Sequence, residues 1–147
     1  MNKICTSIEQ SKKLIELGID VYTADMYWWI CYGDKLSANP YTEEVKKGFE
    51  KHCLECIPAW SLSALINLLP SEFTEVGKYS TTTYKINIRK YKFTDEVNLH
   101  QIAYGSYKWY EDGKSYTWSD MINTGEKEEL LDSAFQMVCW LLENKKI

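Results

Sequence analysis

At 147 residues the chain has the commonest domain size and can bury about two thirds of its unfolded surface without help from a disulfide or metal. Hydrophobic residues at 45% and charged residues at 26% exclude wholesale disorder. A net charge of −4 opposes the counterion release that drives non-specific nucleic-acid binding, yet it is too small for a polyanion mimic of DNA.

Thr6-Ser7-Ile8-Glu9 has capping-box spacing, and Ile8, Leu14, Ile15 and Leu17 follow at helical intervals until Gly18 offers a stop. A first helix is expected over residues 7–17. Met26-Tyr27-Trp28-Trp29-Ile30-Cys31-Tyr32 is rich in rings and ends at Gly33-Asp34, which reads as a strand. Neighbours in a strand point to opposite faces, so if Trp28 or Trp29 enters the core the other lies outside unless something covers it.

After Asn39-Pro40, Thr42 can cap a helix with Glu43 and Glu44 in its first turn and Val45, Phe49 and Cys53 on one face, weakened by Gly48. Ser61 caps a short, mostly buried helix carrying Leu62, Leu65, Ile66 and Leu69, and Pro70 forbids its continuation. From Tyr84 the period becomes two, with Tyr84, Ile86 and Ile88 on one face and Lys85, Asn87 and Arg89 on the other. Parity slips at Lys90 and Tyr91, where a bulge or the strand end is expected.

Glu111-Asp112-Gly113-Lys114 is a primed-type hairpin turn between aromatic arms. With Asp112 and Gly113 as the loop, Trp109 faces Tyr116, Tyr107 faces Trp118, Lys108 faces Thr117 and Tyr110 faces Ser115. One side of the ribbon is then an aromatic ladder. A last helix is expected over residues 126–144, with a stripe of Leu131, Ala134, Phe135, Val138 and Leu142, acids in its first turn and Lys145 and Lys146 past its end. Helices before and after a run of strands imply a single α+β domain over residues 1–147, an antiparallel sheet with an aromatic-rich hairpin packed by about three to four helices mainly on one face.

Residues that could carry chemistry are sparse. Cys53-Leu54-Glu55-Cys56 beside His52 is half a zinc site, but no second pair follows it, so no metal or cofactor is expected. Nucleophilic catalysis needs a base, and His52 and His100, the only imidazoles, sit in no recognisable elbow. Asp20 and Asp25 flank a loop and fit turn chemistry. No glycine-rich phosphate loop occurs, and the chain is read as a non-enzyme.

The start Met1-Asn2-Lys3-Ile4-Cys5 lacks signal-peptide features, and no apolar run approaches the ~20 residues of a membrane span. With five cysteines, reduced thiols in a cytoplasm are expected.

What stands out is ring content: six Trp, eleven Tyr and four Phe make 14% of the chain, more than one small interior needs, so some rings are expected at the surface. Trp28, Trp60, Tyr107 and Trp118 are the candidates. Lys78, Lys85, Arg89, Lys90 and Lys92 fall in a stretch without acids, and Arg89, the only arginine among 17 basic residues, is the one candidate for a bidentate grip on phosphate. Rings with a cation can stack a nucleobase and hold its phosphate.

Four segments, Ser7-Ile8-Glu9-Gln10-Ser11-Lys12-Lys13-Leu14, Thr23-Ala24-Asp25-Met26-Tyr27-Trp28, Ile57-Pro58-Ala59-Trp60-Ser61-Leu62-Ser63-Ala64-Leu65 and Ala134-Phe135-Gln136-Met137-Val138-Cys139-Trp140-Leu141-Leu142-Glu143-Asn144, share a likeness that spans most of the chain. In this order they resemble a family of short uncharacterised proteins carried by phages and integrated mobile elements of gut anaerobic bacteria. The resemblance implies an accessory role, including counter-defence, and brings no site residues with it. It leaves two expected partners: a small nucleotide-like ligand, or a host protein or second copy bound through the same rings.

Overall fold

The computed structural model describes residues 3–31, 36–40, 42, 44, 47, 53–109 and 111–147. Among the described residues, two antiparallel sheets and three helices form an α+β fold. Helix α1 (Ile8–Glu16), a 3-10 turn (Val21–Thr23) and strands β1 (Met26–Cys31), β2 (Leu36–Pro40) and β3 (Cys53–Ala59) come first. Helix α2 (Leu62–Leu68), strands β4 (Glu72–Val76), β5 (Thr81–Lys92), β6 (Asn98–Trp109) and β7 (Tyr116–Asn123), and helix α3 (Leu130–Glu143) follow. The sheets run β2-β1-β3 and β4-β5-β6-β7.

The helix ends follow local chemistry. The cap of α1 is Ser7, boxed with Gln10, one residue later than the Thr6–Glu9 pair proposed above. Thr6 is committed elsewhere: its N–H donates to the Trp60 carbonyl at 2.9 Å and its hydroxyl accepts the Trp60 N–H at 3.1 Å. Gly18 takes a φ of 86°, as a helix stop requires. Ser61 caps α2, with its hydroxyl accepting the Ala64 N–H at 3.2 Å.

Helix α3 starts at Leu130, not at Glu126. The preceding residues run along β6 instead, where Lys127 and His100 exchange backbone hydrogen bonds of 2.6 and 2.9 Å. This isolated bridge to β6 satisfies these backbone groups before the helix can claim them.

Strand β5 is longer than its alternation implied, and its register with β6 is unbroken from Lys85↔Gly105 to Lys92↔Asn98. No bulge lies at Lys90 and Tyr91. The apolar residues there face solvent, Tyr91 at 41% and Phe93 at 69% exposure. The bulge is in β7: Gly105 pairs with Asp120 and Tyr104 with Ile122, leaving Met121 extra.

The hairpin register Tyr107↔Trp118, Lys108↔Thr117 and Trp109↔Tyr116 is the one the Asp-Gly turn dictates. Gly113 has a φ of 66°, and the Asp112 carboxylate accepts the N–H groups of Lys114 and Ser115. Tyr110, His52 and most of the helix expected after Thr42 lie outside the described residues, while Glu44 and Lys47 of that segment are helical. Cys53, placed on that helix above, begins β3.

The core lies between the helices and one face of the four-stranded sheet. Ile102 and Tyr104 of β6 are fully buried against Met137, Val138 and Leu141 of α3 and Leu65 of α2. Phe73 and Tyr84 close the same face, with Phe73 5.0 Å from the Tyr104 ring and 6.3 Å from Trp140. No helix among the described residues is long and apolar enough to cross a membrane.

Candidate functional site

Residues of β5, β6 and β7 that alternate with the core set form the sheet's outer face, and no helix packs there among the described residues. Its centre is Arg89, which grips Asp120 with both arms: Nη1 donates to Oδ2 at 3.0 Å and Nη2 to Oδ1 at 2.6 Å. Nη1 also donates to Gln101 Oε1 at 3.1 Å. The Arg89 fork holds the Asp120 carboxyl below its usual range, aided by the Trp118 indole N–H, which donates to Oδ1 at 2.5 Å.

That indole packs against Gly105. A Cβ at Gly105 would come within 2.7 Å of two Trp118 ring carbons and would strike the Ser119 carbonyl, so only glycine fits beneath the ring. Tyr107 meets the Trp118 ring edge-on at 4.9 Å and 73°, and meets Tyr116 at 4.9 Å and 84°. Edge-to-face geometry is the favourable one for such rings. Tyr107 and Tyr116 remain 48% and 54% exposed.

Next to these rings the sheet divides. The β5–β6 ladder stops at Lys85↔Gly105, while β4–β5 continues to Val76↔Thr81 and β6–β7 to Trp109↔Tyr116. Two hairpin arms therefore part at Lys85. The notch between them encloses about 340 Å³ and is lined by Thr81, Thr82, Thr83, Lys85, Ser106 and Tyr107. Lys85 makes no ion pair among the described residues. The volume falls at the small end of ligand sites, roughly 300–1,000 Å³.

Three of the five sequence candidates, Arg89, Tyr107 and Trp118, thus share one face. The other two do not join them. Trp60 is fully buried, with its indole N–H donating to Thr23 Oγ1 at 2.9 Å, which overturns the expectation of a partly open ring. It follows β3 directly and belongs to the core cluster with residues of α1, α2 and α3. Trp28 is half-buried in the other sheet and donates to the Thr6 carbonyl at 2.7 Å.

Arg89 is engaged within the chain: its fork is met by the Asp120 carboxylate, which also accepts the Trp118 indole N–H. Sequence reasoning missed Asp120, Gly105 and the threonine wall. An Asp within a strand disfavours the strand unless something holds it, and that was the available signal. The notch had none, because it exists only where two ladders end at different places.

Other groups named from the sequence make local contacts. The Asp25 carboxylate accepts the Ser61 N–H at 2.8 Å and the Ser61 hydroxyl, reinforcing the start of α2. His100 Nδ1 lies 3.1 Å from the Glu128 carbonyl. Burial pushes the Cys5 and Cys139 thiols up to about 11, which leaves them protonated and unreactive near neutral pH. No group of three or more metal-ligating side chains occurs among the described residues.

Comparison of the chain with protein-family models, curated proteins and solved structures gives no match.

Proposed function

We propose that the protein is a non-enzymatic binding module that sequesters a small nucleotide-like ligand at the notch on the outer face of the four-stranded sheet. What carries the reading is the convergence of the half-exposed Tyr107 ring, the Lys85 ammonium, which has no ion pair among the described residues, and a wall of hydroxyls around one opening of about 340 Å³. A base stacks on Tyr107 beside Trp118, and the phosphate meets Lys85 and the hydroxyls of Thr81 and Thr83. Arg89 and Asp120 act indirectly by holding Trp118. Such a site works by contact and needs no base or nucleophile. Sequestration of a signalling nucleotide also fits the accessory, counter-defence role that the mobile-element resemblance implies.

Calorimetric titration against a panel of mono-, di- and cyclic nucleotides tests it. Tyr107→Ala is expected to weaken binding by about 1–3 kcal/mol, the range for one stacked base. Lys85→Ala is expected to weaken it as well and to flatten its salt dependence, whereas Trp28→Phe leaves it unchanged. Silence of the whole panel, or binding indifferent to Tyr107 and Lys85, rejects the reading.

The half exposure of Tyr107 and Tyr116 on one ribbon favours a second reading, in which the rings are a contact patch for a host protein. Capture of a partner that Tyr107→Ala abolishes, with no nucleotide bound, would select it.

A further inference from the structure

The two edges of the four-stranded sheet are defended differently. Strand β4 carries Glu72 and Glu75, and Lys146 reaches across to Glu75 at 2.8 Å. Strand β7, Tyr116–Asn123, has no lysine or proline, and its one charge, Asp120, is already neutralised by Arg89. Charges and prolines are the usual guards of a sheet edge, and β7 has neither free. Thr117, Ser119 and Asp120 are nevertheless exposed, and among the described residues β6 is the only ladder partner of β7.

Backbone parity says which groups this edge offers. His100 and Ile102 direct their backbone bonds to Lys127 and Thr124, on the β7 side of β6. Four and six residues beyond Ile102 in that alternation, Ser106 and Lys108 face the same way, opposite Ser119 and Thr117. Ser119 and Thr117 therefore spend their N–H and C=O groups on β6. Trp118 and Asp120 turn theirs outward, to the open edge.

We propose that β7 pairs antiparallel with β7 of a second copy, about a two-fold axis at Trp118, joining two four-stranded sheets into one of eight strands. The segment is complementary to itself. With Trp118 opposite its own counterpart, Asp120 faces Tyr116 of the partner subunit and Thr117 faces Ser119 of the partner subunit, so no like charges meet. The bulge at Met121 bends the strand and confines pairing to residues 116–120. The two outer faces become continuous, with the aromatic ladders meeting at the axis. This inference rests on the edge alone and stands whether or not the notch takes a nucleotide.

Light scattering on the intact chain across a dilution series should give twice the 17.2 kDa chain mass at high concentration, falling toward one on dilution. Joint Thr117→Lys and Ser119→Lys substitution sets like charges opposite each other in the proposed register. It should yield a monomer with an unchanged circular dichroism spectrum, since both side chains are exposed. Glu72→Lys on the β4 edge should leave the dimer intact. In the dimer, the amides of Trp118 and Asp120 should exchange with solvent more slowly than in the double variant. A monomer at every concentration, a dimer unmoved by the β7 pair of substitutions, or a dimer with unprotected Trp118 and Asp120 amides overturns the proposal.

Discussion

The inner and outer faces of the four-stranded sheet use the same kinds of residue to different ends. On the inner face Tyr104 and Trp140 meet Phe73 beneath helix α3, and burial pushes the Tyr104 hydroxyl upward in pKa while it donates to the Pro70 carbonyl at 2.5 Å. On the outer face Tyr107, Tyr116 and Trp118 pack on one another at the surface and are steadied by an ion pair. Rings under a helix contribute stability through the area they remove from water. Rings at the surface contribute little of that and present a surface instead.

The largest effect should fall on the buried side. Trp60→Ala removes a fully enclosed indole and is expected to cost about 3–5 kcal/mol, read from the urea midpoint at unchanged slope. A cost no greater than that of Trp118→Ala would break the contrast between interior and surface rings.

An intermediate effect should come from Gly105→Ala, which tests how tightly the outer face is built. The added methyl meets the Ser119 carbonyl and the Trp118 ring, so the strand or the indole must move, at a cost of roughly 1–3 kcal/mol. Trp118 fluorescence should shift with it. An unchanged protein would mean that the indole is not fixed across the glycine.

The smallest effect belongs to the ion pair. Arg89 depresses the Asp120 pKa below the ordinary 3.8, so the native state favours the ionised carboxylate. That contribution is complete above pH 3.8 and is lost as pH falls through the depressed native value. Asp120→Asn should therefore lower stability at pH 7 by no more than about 1 kcal/mol, the range for surface pairs, and the difference should vanish in acid. A difference that persists unchanged below the native pKa would assign the effect to packing of the Trp118 indole, not to charge.

Much of this was readable from local chemistry. Ser61 and Pro70 delimit α2, Gly18 stops α1, Asp112-Gly113 sets the hairpin register, and the alternation from Tyr84 to Arg89 sorts one strand into two faces. Each depends on residues a few positions apart, whose dihedral and hydrogen-bonding preferences act without the rest of the molecule. The α3 boundary escaped because Lys127 pairs with His100, a partner 27 positions away that no local pattern announces.

The site depended on what arrives from afar. Periodicity places Trp28 and Trp29 on opposite faces, and it was packing of the assembled sheets that left Trp29 at 4% exposure and closed Trp60 off altogether. Arg89 reads as a free cation until Asp120 is brought to it from 31 residues away. The notch exists because two ladders on either side of β5 and β6 outlast the ladder between them. Sequence determined which side chains share a face, because that follows from the pleat. Only the tertiary structure decided which face is covered, which charge is spent and where the sheet opens, because those depend on partners distant in the chain.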